Sequence, residues 1–325
     1  MTYKFSKEFS QIKKEFEKSR KILLVAHSRP DEDTIGSVFV LKEYLEKILG
    51  KQADVVCLDA FPEYLKTIFE GEKFADLEKI KIGDYDLLVG CDAVERGFEK
   101  IVSEKKKNQK VILLDHHPRL DMKKIEPDIV VTDENFSSVC EILYDFLDFH
   151  RIAISKKIAS YLLTGILYDT GAFQHANTSV KVMEISADLM RKGAPMNKII
   201  QATFKNKKLE TLKLWGRAME RAQINEKTGA ILSFITTEDM RELSVKEDDI
   251  GRIAELLNTV VGTKYALVLI EKEQNKIKGS LRSEWYKNVD VSEIAQKLRG
   301  GGHRLASGFE IVGKIVKNGE GISVE

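Results

Sequence analysis

The chain has 325 residues, with 52 Lys and Arg against 51 Asp and Glu, and 43% of its residues are hydrophobic. That length predicts about two domains, each with enough apolar residues for a core. The balanced charge excludes a protein that coats itself on nucleic acid by net charge, so nucleotide binding must be local, and no window approaches 18 apolar residues, which excludes a membrane-spanning helix.

The first half alternates short apolar runs with helical patterns. Residues 22–26, 55–58, 87–90, 111–114 and 129–131 are continuously apolar. Such runs suit strands buried on both faces, hence a doubly wound parallel α/β sheet. Ile35, Val38, Leu41, Leu45, Ile48 and Leu49 recur at helical spacing over 35–49. Three more helices are predicted near 137–149, 156–168 and 179–191, closing a first domain at residue 192. Gly193 and Pro195 then punctuate the chain. A polar helical stretch, 196–224, predicts a connector within 193–224. From 225 to 325 a smaller α+β domain is expected, with strands at 230–235, 264–271 and 276–283 and helices at 247–260 and 291–298.

Cys57, Cys91 and Cys140 show no metal-binding spacing. They read as reduced and buried. With an N-terminus that lacks an apolar signal core, they predict an intracellular, cytoplasmic protein.

Four of the six histidines fall in short motifs. His27 stands in H-S-R-P-D-E-D, His116 and His117 in D-H-H, and His303 in G-G-G-H. Asp92 in V-G-C-D and Asp169 in L-Y-D-T-G add carboxylates. His27, Asp92 and the Asp115-His116 pair each follow a predicted strand. In an open parallel sheet, ligands bind beyond the carboxyl ends of the strands, so the three motifs should converge. Asp31, Asp33, Asp92 and Asp115 crowded together without a cation would raise each other's pKa values. Asp169 ends a helical stripe of Ile158, Leu162, Gly165 and Ile166, an unusual place for an unpaired carboxylate. Imidazoles and carboxylates without thiolate favour Mn²⁺, with Mg²⁺ or Co²⁺ also fitting. Two such ions can stabilise the attacking and leaving oxygens of a phosphoryl displacement, and Asp92, alone in its motif, suits the bridging position. Singly, each residue has a plainer reading: His27 as a hydrogen-bonded loop residue, Asp33 as an N-cap, Asp169 as a turn cap.

Gly300, Gly301 and Gly302 leave backbone amides open to a phosphate, with His303 beside them. The alternative is a loop after a helix end. Arg282, in S-L-R-S, is either a phosphate or base contact or a surface arginine.

The motifs together resemble the DHH phosphoesterase superfamily. H-S-R-P-D-E-D-T-I-G-S, C-D, D-H-H and Y-D-T-G match its four motifs, and D-V-S-E-I-A-Q-K-L-R-G-G-G-H-R-L-A-S-G matches the associated C-terminal domain. The resemblance spans about 20 to 312 and is similar in layout to the nanoRNase and oligoribonuclease branch, whose members also dephosphorylate phosphoadenosine phosphate. It implies that His27, Asp31 and Asp92 hold one divalent metal and Asp33, Asp92, His116 and Asp169 a second. His117 would lie behind the site near the substrate phosphate, and Arg282, Gly301, Gly302 and His303 would bind substrate on the opposite wall of an interdomain cleft. Asp92, His116 and His117 are the catalytic residues so implied. Glu32 and Ser307 depart from the small residue and alanine common at their positions without touching a metal ligand. Gln174, His175 and Ala176 follow the fourth motif in a segment that differs between branches.

The expected function is a two-metal phosphodiesterase or phosphatase acting on short single-stranded RNA or small phosphorylated nucleotides, with a homodimer left open. Two other readings stand beside it: a cyclic or linear dinucleotide phosphodiesterase, and a nucleotide-binding regulatory module without activity. An intact ligand set argues against the last.

Overall fold

The computed structural model describes residues 3–92, 97–117, 122–318 and 321–325. Strand β1 (Lys21–Ala26) sets the architecture of the first unit, Met1–Asn206. Ile22 through Ala26 are all buried, and because alternate side chains point to opposite faces, both faces must be covered. Strands β2 (Gln52–Val56), β3 (Leu87–Cys91), β4 (Lys110–Asp115) and β5 (Ile129–Thr132) join it in parallel, in the order β2-β1-β3-β4-β5.

One face of the sheet packs Ile22, Leu24, Val89 and Ile112 against helices α1 (Ser6–Lys18), α2 (Glu32–Glu43), α4 (Val139–Phe149), α5 (Lys156–Asp169) and α6 (Val180–Arg191). The other packs Leu23, Val25, Leu88 and Leu113 against Phe98, Ile101 and Val102 of α3 (Phe98–Val102). Serines cap three of these helices. Ser138, Ser155 and Ser179 accept from the backbone amides of Glu141, Ile158 and Val182, satisfying donors that a helix start leaves unpaired.

The chain leaves β1 for β2 on one side and returns to place β3 on the other. That reversal makes a crevice at the carboxyl ends of β1 and β3, the usual ligand address of such sheets.

Element positions follow the sequence expectations with instructive exceptions. β2 lies at 52–56 rather than 55–58, because an edge strand with partly exposed residues does not read as one apolar run. α2 begins at Glu32, ahead of the apolar periodicity, since its first turn buries polar Glu32, Asp33 and Thr34. Past Glu43 it continues as a π-helical turn, Tyr44–Ile48. The stretch expected as one helical connector is two helices. α7 (Met196–Phe204) buries Ile199 in the first unit's core, and α8 (Leu209–Glu220) buries Leu214 and Ala218 in the second's. A polar composition concealed two short amphipathic faces.

The second unit, Lys207–Glu325, holds a mixed sheet. β6 (Gln223–Asn225), β7 (Ala230–Ile235), β8 (Tyr265–Lys272), β9 (Lys276–Arg282), β10 (Gly301–Gly302) and β11 (Ala306–Val312) run in the order β10-β11-β9-β8-β7-β6, with β7 and β8 parallel. Helices α8, α9 (Thr237–Glu242), α11 (Ile253–Leu257) and α12 (Val291–Lys297) pack in this unit. The helix expected at 247–260 is split into α10 (Glu247–Ile250) and α11, because Gly251 between them has φ +64°. A hairpin of β12 (Ile315–Asn318) and β13 (Gly321–Val324) ends the unit.

Candidate metal centre

Every first-unit motif residue reaches the crevice by a local rule. His27 follows the last residue of β1. Asp31 N-caps α2, accepting from Thr34 N at 3.0 Å. Asp33 sits in the first turn of that helix and is fully buried. Asp92 follows β3, and Asp115 ends β4 with His116 and His117 next in chain. Asp169 is the last residue of α5. Asp92 takes a left-handed φ of 54° while its amide bonds to Leu114 O at 2.8 Å. Aspartate tolerates that conformation better than most residues, at a cost of roughly 1–2 kcal/mol. The turn aims its carboxylate across the crevice rather than along the strand.

Three sets of side chains meet there, each with ligand atoms within 4.8 Å of one another: His27, Asp31 and Asp92; Asp33, His116 and Asp169; Asp92, Asp115 and His117. His27 Nε2 lies 3.4 Å from Asp31 Oδ2 and 3.3 Å from Asp92 Oδ2. His116 Nε2 lies 3.3 Å from Asp169 Oδ2 and 4.0 Å from Asp92 Oδ1. Both rings turn their other nitrogen to a backbone carbonyl, His27 Nδ1 to Ser28 O at 2.7 Å and His116 Nδ1 to Phe136 O at 3.4 Å. That arrangement fixes each ring and directs Nε2 to the carboxylates, as metal-ligating histidines are usually held. His117 Nδ1 lies between Asp92 Oδ1 at 2.9 Å and Asp115 Oδ1 at 2.8 Å.

Burial and mutual charge shift the protonation of the whole group. Burial, reinforced by the charges of Asp92 and Asp31, pushes Asp33 up to about 7. Asp169 is raised for the same reasons, with Asp33 its strongest charged neighbour. Asp92 goes the other way: burial alone would raise it, but His117 and His27 hold it well below the usual carboxylate range. Mutual elevation of crowded carboxylates therefore applies to Asp33 and Asp169 and not to Asp92, which has two imidazoles beside it. His27 is raised to about 10, since Asp31 and Asp92 outweigh the opposing effect of burial. His117 is raised well above its ordinary value by Asp92 and Asp115, again against burial. His116 is lowered, by burial first and then by the charge of His117.

The residue that the plainer reading made an N-cap has a different structural task. Asp31 caps α2, whereas Asp33 accepts from Val139 N at 2.7 Å and Cys140 N at 2.9 Å, at the start of α4. Its two oxygens keep further lone pairs for a ligand.

Other participants lie outside the motifs' ligand set. Thr34 Oγ1 donates to Asp92 Oδ2 at 2.9 Å. Asp115 Oδ1 accepts from the amides of His116 and His117 and faces the ring of His117. Gly165 and Gly36 allow α5 and α2 to approach: a Cβ on Gly165 would stand 2.6 Å from Asp33 Oδ1, and one on Gly36 2.7 Å from Tyr161 O. The G-S pair inside the first motif was the available signal for Gly36, whereas Gly165 lies outside the motifs, on the helical stripe that ends at Asp169. Phe136 O carried none.

In the second unit, the glycine-rich segment is not a loose loop. Gly301 and Gly302 form β10, paired with Gly308 and Ser307 of β11. A Cβ on Gly300 would stand 2.1 Å from Gly308 O, and Gly302 has φ +128° with Ala306 O 2.7 Å from its Cβ position. Packing thus accounts for those two, while Gly301 is exposed with nothing within 4 Å. His303 occupies the turn after β10, its amide bonded to Ala306 O. Ser307 Oγ donates to His303 O at 2.6 Å, so Ser307 helps fix that turn. Arg282 is half-buried at the end of β9, and its Nη1 donates to Leu281 O.

A divalent cation fits the donors of the first unit. Asp92 Oδ1 and Asp169 Oδ2 are buried and accept no hydrogen bond of good geometry from the described residues. Buried carboxylate oxygens left so are costly and are ordinarily paired or bound to metal. Nitrogen and oxygen donors without thiolate suit a hard or borderline ion.

The fold and this centre define a class. The DHH family, N-terminal domain, matches residues 21–166, and the DHHA1 domain matches 227–318. The chain carries a DHH domain followed by a DHHA1 domain. The bifunctional oligoribonuclease and PAP phosphatase NrnA of Thermus thermophilus is 29% identical, with 90% of this chain and 84% of that protein covered. The protein of the same name from Bacillus subtilis is 26% identical, with 89% of each covered. Among solved structures, an exopolyphosphatase-related protein from Bacteroides fragilis shares the fold, with a TM-score of 0.85 at 24% identity over 95% of this chain and 92% of that one. RecJ of Thermus thermophilus, solved in complex with Mn²⁺, matches with a TM-score of 0.54 at 13% identity, covering 94% of this chain and 51% of RecJ.

Proposed function

We propose that this chain is a metal-dependent hydrolase that cleaves short oligoribonucleotides to mononucleotides and removes the 3′-phosphate of phosphoadenosine phosphate. The observation that carries it is the convergence of three histidines and five aspartates at the sheet's reversal point, where the buried oxygens Asp92 Oδ1 and Asp169 Oδ2 stand 2.9 Å and 3.3 Å from the imidazole nitrogens of His117 and His116. The NrnA relatives supply the substrate class.

His27, Asp31 and Asp92 would hold one divalent metal, and Asp33, Asp92, His116 and Asp169 a second. Mn²⁺ suits this set best, with Mg²⁺ and Co²⁺ as alternatives. Bound metals of this kind supply a nucleophile at neutral pH and neutralise charge on the phosphoryl oxygens. The chain's own residues do the positioning. Thr34 and His117 hold the Asp92 carboxylate, Asp115 orients His117, and the carbonyls of Ser28 and Phe136 orient His27 and His116. His117, held between Asp92 and Asp115, would stand near the phosphate of an anionic ester as a hydrogen-bonding partner. Arg282, Gly301, Gly302 and His303 would bind the nucleotide's phosphate or base.

The test is hydrolysis by the purified protein with Mn²⁺ of di- to pentaribonucleotides, phosphoadenosine phosphate, cyclic dinucleotides and pyrophosphate. Release of mononucleotides from the short RNAs, or of phosphate from phosphoadenosine phosphate, is expected. Turnover confined to cyclic dinucleotides or pyrophosphate would overturn the substrate assignment.

A further inference from the structure

Trp285 and Tyr286 are 66% and 61% exposed, a large aromatic surface to leave in water. They stand edge to face, with ring centroids 5.9 Å apart at 90°, on a short 3₁₀ turn, Trp285–Lys287. The residues on either side of them are anchored. Lys287 Nζ donates to Asn258 O at 2.5 Å, Asn258 Oδ1 at 2.9 Å and Thr263 Oγ1 at 3.3 Å. Glu284 Oε1 accepts from Asn258 Nδ2 at 3.3 Å. Asn258 and Thr263 are themselves buried. The turn is therefore clamped from below through its charged residues while its two aromatic rings face outward.

The same loop is tied to the glycine-rich segment. Ser283 N donates to Leu305 O at 2.9 Å, and Val291 N donates to Arg304 O at 2.8 Å. Loop 284–290 thus begins and ends on two consecutive carbonyls next to His303. Arg282 lies one residue before its first stem and pairs in register with Ala306 of β11. Arg304 is exposed. Of the loop's own carboxylates, Glu284 accepts from Asn258 Nδ2, and Asp290 accepts from Ser292 N and Oγ. An exposed aromatic pair on an anchored turn, with Arg282 and Arg304 at the stems of its loop, suits a ligand with a flat π-face and a phosphate: a nucleotide unit of a single strand.

We propose that Trp285, with Tyr286 as its edge partner, is a nucleobase-stacking platform of the second unit, taking a base of a short single-stranded RNA whose phosphate lies toward Arg282, His303 and Arg304. This rests on the reading of the chain as a short-RNA hydrolase and adds to it a contact that would set how RNA is gripped. Stacking on one aromatic is worth about fivefold to about a hundredfold in affinity, and it tolerates any base.

The test uses the full chain with Mn²⁺ and two substrates, a pentaribonucleotide and bis-p-nitrophenyl phosphate, which has no nucleobase. Trp285→Ala should raise KM for the RNA about tenfold or more, with kcat and the base-free ester unaffected. Trp285→Phe should restore most of the loss. A direct reading needs no turnover: in the Asp92→Ala background, adding a dinucleotide should quench tryptophan fluorescence, and Trp285→Phe, which leaves Trp215 in place, should remove the quench. If wild type cleaves RNA and Trp285→Ala leaves its KM unchanged, the platform is wrong and the hydrolase reading stands. If wild type leaves RNA intact, the hydrolase reading fails, and the quench alone decides whether Trp285 stacks bases. A fall in sedimentation mass on Trp285→Ala, with no change in KM or quench, would make the pair a contact between copies and overturn the proposal.

Discussion

In the proposed function, Asp92 concentrates the chemistry of the first unit in one side chain. Its carboxylate faces His27, His117 and Thr34, and it stands in both proposed metal sets. Asp92→Ala should therefore lower turnover by about a thousandfold or more, since both sites lose a ligand at the reacting centre. Turnover at saturating Mn²⁺ beside circular dichroism checks it; a well-folded variant that keeps a tenth of wild-type activity contradicts the bridging role. Asp115 acts one step further out. It holds His117 and the two following amides without belonging to either proposed set. Asp115→Asn should cost about 10–100-fold in kcat, the range for a residue that orients another, while bound Mn²⁺ measured by atomic absorption stays near wild type. Loss of the metal instead would make Asp115 a ligand.

At the scale of helices, two glycines separate packing from propensity. Gly165 lies where α5 meets α2, and an added Cβ would meet Cys140 Sγ and Asp33 Oδ1. Gly165→Ala should destabilise the chain by about 1–3 kcal/mol through overpacking and weaken Mn²⁺ binding by displacing Asp33. Gly216 lies in α8 with nothing within 4 Å, so Gly216→Ala should stabilise by about 0.5–1 kcal/mol. Urea titration of both variants tests whether the same substitution changes sign. In the second unit, Asp239 caps α9 in a box with Thr236 and accepts from Arg217 and Arg221. Burial would raise its pKa, but Arg221, Thr236 and Arg217 together hold it well below the usual carboxylate range. A depressed folded-state pKa contributes stability that is complete above the unfolded value near 4 and lost as pH falls below it. Asp239→Asn should cost about 2–4 kcal/mol at pH 7, the range for breaking a buried pair at a cap. That deficit should shrink as pH falls below about 4; a deficit independent of pH would show that the charge is not its source.

The whole chain divides after Asn206 rather than at a helical connector, because α7 buries Ile199 in the first core and α8 buries Leu214 in the second. A fragment of residues 1–206 should therefore bind Mn²⁺ but process short RNA poorly, whereas one ending before residue 195 loses α7 and should be measurably less stable. Calorimetry on the first fragment is the check, and absence of Mn²⁺ binding by a folded fragment would refute the assignment of both metals to one unit. In the intact protein, chelation should abolish activity, with restoration by Mn²⁺ exceeding Mg²⁺ and little by Ca²⁺, whose larger shell fits such a site poorly.

The sequence by itself determined the parallel sheet, since runs such as Ile22–Ala26 have no polar face to turn to water. It also determined the meeting of His27, Asp92 and His116, because each follows a strand and parallel strands end on one edge. It was less informative where local pattern and packing part company. α1 was missed although Phe9, Ile12 and Phe16 carry a helical spacing, and the strand containing Phe309 was missed behind its glycines. Only the tertiary structure decided that Asp33 takes two amide hydrogen bonds from α4, that Asp115 holds His117, that Gly165 must stay small, and that Trp285 rides on a loop pinned beside His303. Those relations join residues more than 100 positions apart in sequence, as Asp33 is from Cys140 and Gly165, or turn on which atoms of a buried group find a partner, and neither spacing nor composition encodes them.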